Sequence, residues 1–195
     1  MIDVLPAIED FGISQVEVQK LRDYFTTYKG RVFSGLALVA SPDEKLRSDI
    51  MYALVHSYTE GYIEQGTGEG GLCTIEKKPS YKLPESVFGT GKQYIVEPPT
   101  YVDTLKIAVR MATDFVLIDD ATNLDVAQYV VRCVGSGMRI IAGVNALDNA
   151  TAAKVFDAVL GDSPPVPYTI DLIIVATDAS HLSVSVVNGV FNALP

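Results

Sequence analysis

Residues 41–48 occupy the position at which a nucleotide-binding α/β domain carries its phosphate loop, between a short apolar run at 35–40 and a helical pattern at 50–58. Such a loop reads G-x-x-x-x-G-K-S/T, because its glycines let backbone N–H groups surround the phosphates, its lysine neutralises them and its hydroxyl holds magnesium. Here Ser41 and Leu46 stand at the glycine positions and Arg47 stands at the lysine position. Only Ser48 matches, so the residue types predict a phosphate site that lacks most of its binding groups.

The same residues have the pattern of a helix start that is closed by its own side chains. The run Ser41-Pro42-Asp43-Glu44 predicts a capping box, with Ser41 as the N-cap, Pro42 at the first helical position and Glu44 folding back onto the N–H of the cap. Asp43 and Glu44 also place carboxylates at the positive end of the helix dipole, where a phosphate would otherwise bind. We therefore expect this site to be closed to nucleotide.

A second candidate for chemistry is the pair Asp119 and Asp120, which ends an apolar run at 115–118. In nucleotide hydrolases such a strand carries the acids that hold magnesium and orient or activate water. The alternative is a strand end whose acids cap the following helix, which the run Asn123-Leu124-Asp125 also suits. Because no intact phosphate loop is predicted opposite the pair, we slightly favour the capping interpretation.

Two glycine-rich stretches resemble parts of a phosphate loop, but each has a simpler interpretation. Residues 61–71 lack a following Lys-Ser/Thr pair and contain Glu69, which favours a mobile surface loop. Residues 89–93 lack the upstream glycine and lead into a strand-like run, which favours a turn.

The histidines predict neither a metal site nor nucleophilic catalysis. His56 and His181 have no second metal ligand at a suitable spacing, and no arrangement of serine, cysteine and histidine predicts nucleophilic catalysis.

The composition predicts one soluble globular domain. With 195 residues, 48% of them hydrophobic, the chain is long enough for one domain with a well-buried core and too short for two domains that each bury such a core. A net charge of −9 argues against direct contact with nucleic acid, which depends on clustered lysine and arginine. Cys73 and Cys133 lie in or beside apolar runs, which favours buried thiols in a reducing cytoplasm. No leader and no membrane-spanning run is expected.

Short apolar runs alternate with helical patterns through most of the chain, which predicts a mainly parallel sheet flanked by helices. We expect a single domain over 1–195, with a helical lead-in at 1–30, a core at 31–160 and C-terminal strands at 161–195. The last two strand-like runs predict a terminal β-hairpin.

Taken in order, four segments resemble motifs of the secretion and pilus traffic ATPases, a family of type II secretion motors, type IV pilus extension and retraction motors and conjugative type IV relatives. They are the phosphate-loop strand and turn (35–48), the acidic Asp box (73–79), the magnesium strand (110–120) and the His box (136–145). The resemblance runs from about residue 11 to about residue 160. It implies a RecA-like, three-layer α/β fold of the P-loop-NTPase type.

The departures from the family pattern all concern catalysis. Besides the phosphate loop, the Asp-box aspartate, the arginine after the magnesium strand and both His-box histidines are replaced, by Lys77, Thr122, Met138 and Asn145. The resemblance implies remnant catalytic candidates at Glu76, Asp119 and Asp120. It implies remnant nucleotide-binding residues at Arg47, Ser48 and Arg110, although the bulkier fork of arginine is not equivalent to lysine on a turn without glycine.

The leading hypothesis is a pseudo-ATPase that needs no cofactor or metal and has a structural or regulatory role in a bacterial secretion, pilus or conjugation machine. Its partners would be proteins of that machine, either further copies of itself or an active homologue. We expect it in the cytoplasm, reaching the cytoplasmic face of the inner membrane only through partners. The alternative is a working motor that uses Arg47, Ser48, Asp120 and Glu76 with ATP and magnesium. A phage or plasmid protein that mimics a motor subunit and poisons its ring fits the same residues.

Overall fold

The computed structural model describes residues 4–25, 35–64, 71–83, 91–160, 170–178 and 181–186, and within these ranges strands alternate with helices. The strands are β1 (Gly35–Ala40), β2 (Gly71–Glu76), β3 (Gln93–Ile95), β4 (Thr113–Ile118), β5 (Arg139–Val144), β6 (Ile170–Asp178) and β7 (His181–Val186). The helices are α1 (Gln15–Phe25), α2 (Glu44–Glu64), α3 (Tyr101–Arg110), α4 (Leu124–Gly135) and α5 (Asn149–Leu160). Short 3-10 turns, Ile8–Phe11 and Pro98–Thr100, precede α1 and α3.

One sheet contains all the described strands, in the order β3-β2-β4-β5-β1-β6-β7. Each neighbouring pair is parallel except β6 and β7, which pair antiparallel. The mainly parallel sheet and the C-terminal hairpin predicted from the sequence are confirmed. Because β1, β2, β4 and β5 run in the same direction, the residues that follow them meet at one edge of the sheet, which we call the carboxyl edge.

Helices cover both faces of the sheet, which gives the predicted three-layer arrangement. On one face α3, α4 and α5 contribute Tyr101, Val130 and Phe156 to the core. On the other face α1 and α2 contribute Leu21 and Leu54. Strands β1 and β5 are buried at every position, because a strand with helices on both faces has no solvent side. An unbroken apolar run was therefore the correct signal for these strands.

Helix α2 is longer than its sequence pattern predicts. The pattern is helical to Tyr58, whereas the helix continues to Glu64. The consecutive residues 50–55 are all buried, because α2 has the sheet on one side and α1 with the first 3-10 turn on the other. A helix that is enclosed in this way lacks a polar stripe, so its periodicity does not mark where it ends.

The two predicted glycine-rich loops fall partly outside the described ranges. The first, at 61–71, is helical to Glu64 and becomes strand at Gly71, while 65–70 are not described. At the end of the second, a Cβ on Gly91 would lie 1.9 Å from the backbone oxygen of Leu72. Glycine is therefore required there, because the chain passes directly against β2.

Both cysteines are buried and free, as predicted. The Sγ of Cys73 lies 3.3 Å from the Oγ1 of Thr113 inside the core. Burial raises the pKa of the Cys133 thiol to about 12. A thiol that remains protonated at neutral pH is a poor nucleophile and a poor metal ligand, so Cys133 behaves as a core residue. Among the described helices, none is both long enough and apolar enough to cross a membrane.

Ala112 lies in the turn between α3 and β4 with a φ of 52°, in the left-handed region that side chains disfavour. Glycine removes the steric cost, which exceeds the additional chain entropy that glycine loses on folding. We predict that Ala112→Gly raises the free energy of unfolding by about 0.5–1 kcal/mol in urea denaturation. The control Ala150→Gly, in the first turn of α5, should lower it by up to about 1 kcal/mol. Destabilisation by both variants would contradict this prediction.

Candidate functional site

The connection between β1 and α2 consists of three residues, Ser41, Pro42 and Asp43. Asp43 is the N-cap of α2: its Oδ1 accepts hydrogen bonds from the backbone N–H groups of Lys45 at 2.9 Å and Leu46 at 3.1 Å. The capping box predicted around Ser41 is therefore wrong by two residues. The reason lies in the sheet, because the N–H of Ser41 donates to the Val144 oxygen at 3.2 Å and so extends the β1–β5 ladder. The helix cannot begin until the chain leaves that ladder.

Four further backbone amides at this junction, those of residues 43, 45, 46 and 47, donate to groups of the protein itself. Besides the two that Asp43 caps with its side chain, the N–H of Asp43 donates to the Ser41 Oγ at 3.2 Å, and the N–H of Arg47 donates to the Asp43 backbone oxygen at 2.9 Å. A phosphate loop requires free successive N–H groups on a glycine-rich curve. The residues at 44–48 are instead the first turns of a helix. A phosphate at this position would have to displace the Asp43 carboxylate from the N–H groups of Lys45 and Leu46.

Arg47, at the position of the phosphate-loop lysine, is a buried structural residue with 6% of its surface exposed. Its Nη1 donates to the backbone oxygen of Ser41 at 2.8 Å, and its Nε donates to the backbone oxygen of Asp119 at 3.3 Å. Between them lies Gly143 of β5, where a Cβ would come within 2.0 Å of the Asp119 oxygen and 3.1 Å of the Arg47 Cδ. The guanidinium thus joins the ends of β1 and β4 across β5.

A cavity of about 360 Å³ lies between α2 and the segment that follows β2. Its volume is that of a small-molecule site. Four predicted site residues line it: Arg47, Ser48, Glu76 and Asp119. The other lining residues are Glu44, Lys45, Met51, Tyr52, Lys78, Pro79, Ser80 and Leu117. The Ser48 hydroxyl donates to the Ser80 Oγ at 3.1 Å, so the hydroxyl predicted to hold magnesium has a partner within the protein.

Glu76, at the end of β2, is 2% exposed and belongs to a buried hydrogen-bond network. The Tyr52 hydroxyl donates to its Oε1 at 2.7 Å. Gln93 in turn donates from Nε2 to the Tyr52 hydroxyl and to the backbone oxygen of Tyr81, each at 2.9 Å. Burial raises the pKa of Glu76, and the neighbouring charge of Asp119 raises it further, against the hydrogen bonds that lower it.

Asp119 and Asp120 follow β4 but have different surroundings. One oxygen of Asp119 accepts from the Tyr101 hydroxyl at 2.6 Å and the other from the N–H of Lys77 at 2.8 Å. Burial raises the pKa of Asp119 in spite of these bonds. Asp120 does not line the cavity, and its Oδ1 accepts from the N–H of Thr122 at 2.8 Å. The chain turns away after Asp119, so only the first of the two acids faces the cavity.

The alternative prediction, that Asp119 and Asp120 cap the following helix, is wrong, because another residue caps it. Asn123 is the N-cap of α4, and its Oδ1 accepts from the N–H groups of Asp125 at 2.9 Å and Val126 at 3.4 Å.

The predicted remnant Arg110 does not lie at the cavity. It is the last residue of α3, whose first residue, Tyr101, contacts Asp119, and a helix of this length spans about 15 Å. Within the described residues, no group of three His, Cys, Asp or Glu side chains could hold a metal ion.

The contacts of Arg47 predict a large effect of its removal. Arg47→Ala leaves the backbone oxygens of Ser41 and Asp119 without their donor and opens a void, so we expect the free energy of unfolding to fall by about 2–4 kcal/mol in urea denaturation. Arg47→Lys should recover less than half of the loss, because one ammonium cannot reproduce the arginine fork.

Lys45→Ala is the matched control for Arg47. Lys45 is 59% exposed and pairs with Asp49 at 2.6 Å, so its loss should cost no more than about 0.5 kcal/mol. If Arg47→Ala were as mild as Lys45→Ala, the structural role assigned to Arg47 would be wrong.

The raised pKa of Glu76 predicts a pH dependence. Because the folded state binds the Glu76 proton more tightly than the unfolded state, the free energy of unfolding falls as pH rises from the ordinary pKa of 4.5 through the folded pKa. Glu76→Gln retains an acceptor for Tyr52 and removes this ionisation. We predict that the variant gains stability relative to the unchanged protein as pH rises above about 4.5 in urea denaturation.

Glu97→Gln serves as the control for Glu76→Gln. Glu97 is 70% exposed and lies 3.4 Å from the Nζ of Lys77, so its replacement should produce no comparable gain with pH. Asp114, whose pKa burial also raises, is present in every protein compared and cancels, whereas Asp119 is coupled to Glu76, so the predicted gain belongs to the pair. Parallel stability curves for Glu76→Gln and the unchanged protein would refute the assignment.

Solved structures resemble this chain, although no protein-family model and no curated protein matches it. The ATPase DotB of Yersinia pseudotuberculosis gives a TM-score of 0.68 at 13% identity, over 94% of this chain and 48% of that chain. DotB of Legionella pneumophila gives 0.68 at 10% identity, over 94% and 50%. The pilus retraction motor PilT, solved with bound ADP, gives 0.69 at 13% identity, over 98% and 56%.

Identities this low establish the fold alone, and this chain spans about half the length of the solved ATPases that it matches. The resemblance predicted from the order of four sequence motifs is confirmed at that level. This chain has the RecA-like α/β fold of the secretion and pilus traffic ATPases, DotB and PilT among them.

Proposed function

We propose that this protein is a pseudo-ATPase: a subunit with the fold of a traffic ATPase that does not hydrolyse ATP and that acts through contacts with other proteins in a bacterial secretion, pilus or conjugation machine. The machine is proposed from the likeness of fold to DotB and PilT. The loss of ATP chemistry is proposed from the site of this chain itself.

The observation that carries the proposal is the conversion of the phosphate-loop positions into a capped helix start. The carboxylate of Asp43 accepts from the amides that would face a phosphate. A bound phosphate would have to displace this carboxylate and also overcome the negative charge of Glu44 in the first turn. Helix N-termini bind anions only where their N–H groups are free, so the capped start opposes nucleotide binding.

The remaining polar residues support the same conclusion. The charge of Arg47 is used to bind two backbone oxygens, and Ser48 is bound to Ser80. The carboxyl groups of Glu76 and Asp119 accept from tyrosine hydroxyls, and burial raises the pKa of both. Carboxyl groups whose ionisation is disfavoured are weaker ligands for magnesium.

The proposed partners are further copies of this chain or an active homologue, within a cytoplasmic assembly that reaches the inner membrane through other proteins. Two free, buried thiols are compatible with a reducing compartment. We propose no direct role for nucleic acid, because the net charge is −9.

One observation favours a second candidate, an active motor with an atypical phosphate loop. The cavity at the carboxyl edge is lined by Arg47, Ser48 and Glu76, three of the four residues that such a motor would use, and by Asp119 in place of the fourth, Asp120. In that case the missing groups would come from a neighbouring subunit. This candidate requires ATP turnover that is reduced by Asp119→Ala or Asp120→Ala.

Isothermal titration with ATP and magnesium separates the two candidates. We predict no saturable heat at protein concentrations that would detect dissociation constants up to about 1 mM, because the phosphate-binding amides are capped. PilT, whose solved structure holds ADP, is the positive control under the same conditions. A saturable signal that Ser48→Ala abolishes would overturn the pseudo-ATPase proposal and make hydrolysis the next measurement.

A further inference from the structure

Two large apolar side chains are exposed on neighbouring loops at the carboxyl edge, on the face of the sheet that α4 and α5 cover. Leu124, the first residue of α4, is 54% exposed, and Leu147, just before α5, is 64% exposed. Their loops are tied together, because the N–H of Asn145 donates to the Oγ1 of Thr122 at 3.2 Å. Each leucine is two residues from this bond, which is at most about 7 Å of chain.

Acidic residues outnumber basic ones around the two leucines. Residues 120–125 and 145–151, which we call the leucine surface, contain Asp120, Asp125 and Asp148 and no lysine or arginine, and Lys154, further along α5, interacts with Asp148. The Asp148 Oδ1 caps α5 by accepting from the N–H of Thr151 at 2.7 Å, and this contact lowers the pKa of Asp148. Both helix starts in the surface are therefore closed by side chains, so it offers no anion site.

We propose that the leucine surface is the docking site for a basic amphipathic segment of a partner protein, one that places apolar side chains on Leu124 and Leu147 and lysine or arginine beside the three aspartates. Exposed apolar groups flanked by charge of one sign are typical of a protein-binding site. The proposal rests on the proposed function only in taking the partner from the same machine.

Charge complementarity decides between possible occupants of the leucine surface. A second copy of this chain would bring a net charge of −9 to an acidic surface, which opposes association there, so copies of this chain would meet through other surfaces. An anionic lipid surface would be repelled in the same way. A basic amphipathic helix satisfies both the leucines and the aspartates, and a helix of about 10 residues spans about 15 Å, enough to cover both loops.

The test uses a synthetic helical peptide of about 15 residues, built from leucine on one face and lysine on the other, added to isotopically labelled protein. We expect saturable binding, with amide shift changes centred on the leucine surface and affinity that falls as salt is raised. The same peptide with glutamate in place of lysine should not bind. Shift changes centred elsewhere, or equal binding of both peptides, would overturn the proposal.

Matched variants locate the binding. The double variant Leu124→Ser and Leu147→Ser should lower the affinity for the lysine peptide by about tenfold or more, since burying one leucine side chain contributes at least that factor to affinity. Val16→Ser, which removes a 65% exposed side chain from α1 on the opposite face, should leave the affinity unchanged. Equal effects of the two changes would refute the docking site, as would self-association of the chain that is lost in the leucine variant.

This result is independent of the ATP titration. ATP binding together with the predicted peptide binding would overturn the pseudo-ATPase proposal and leave the docking site in place. Absence of both kinds of binding would support the pseudo-ATPase proposal and overturn the docking site.

Discussion

The structure at the carboxyl edge depends on where the guanidinium of Arg47 lies. A buried arginine needs acceptors for its N–H groups, and here the backbone oxygens of Ser41 and Asp119 supply them at the ends of two strands. The strand between them must carry no side chain at this position, because a Cβ there would meet the Asp119 oxygen and the Arg47 side chain. Gly143 meets this requirement. The arrangement also requires α2 to begin early enough to direct the Arg47 side chain back over the sheet. The helix start, the strand ends and the position of Asp119 are therefore one coupled arrangement.

The architecture was predictable because most of its signals are local. Strands enclosed by helices appear as unbroken apolar runs, and α4 and α5 have clear polar N-caps in Asn123 and Asp148. The start of α2 was not predictable in the same way. Two residues there can each serve as a cap, and the choice of Asp43 over Ser41 is made by a hydrogen bond to Val144, about 100 residues away. Local capping rules do not contain that information.

In the candidate site, too, some residues were predictable from the sequence and their long-range partners were not. Glu76, Asp119, Arg47 and Ser48 were found from the resemblance, because strand ends and helix starts carry them to one edge in any protein of this fold. The partners of the two carboxyl groups were missed. Tyr52, Gln93 and Tyr101 reach the site from two helices and an edge strand, and nothing in their spacing distinguishes them from core residues. Arg110 was assigned from motif order alone, and it lies at the opposite end of α3 from Tyr101, the residue that contacts Asp119.

The buried acids at the carboxyl edge accept hydrogen bonds from neutral donors of the protein. Hydroxyls of Tyr52 and Tyr101 and the backbone N–H of Lys77 bind Glu76 and Asp119. Neutral donors offset burial incompletely, which is why the pKa of each carboxyl group remains raised. The carboxyl groups therefore tie β2 and β4 to α2 and α3 as hydrogen-bond acceptors, so their presence is no argument for hydrolysis, and the decisive residues are those of the capped helix start.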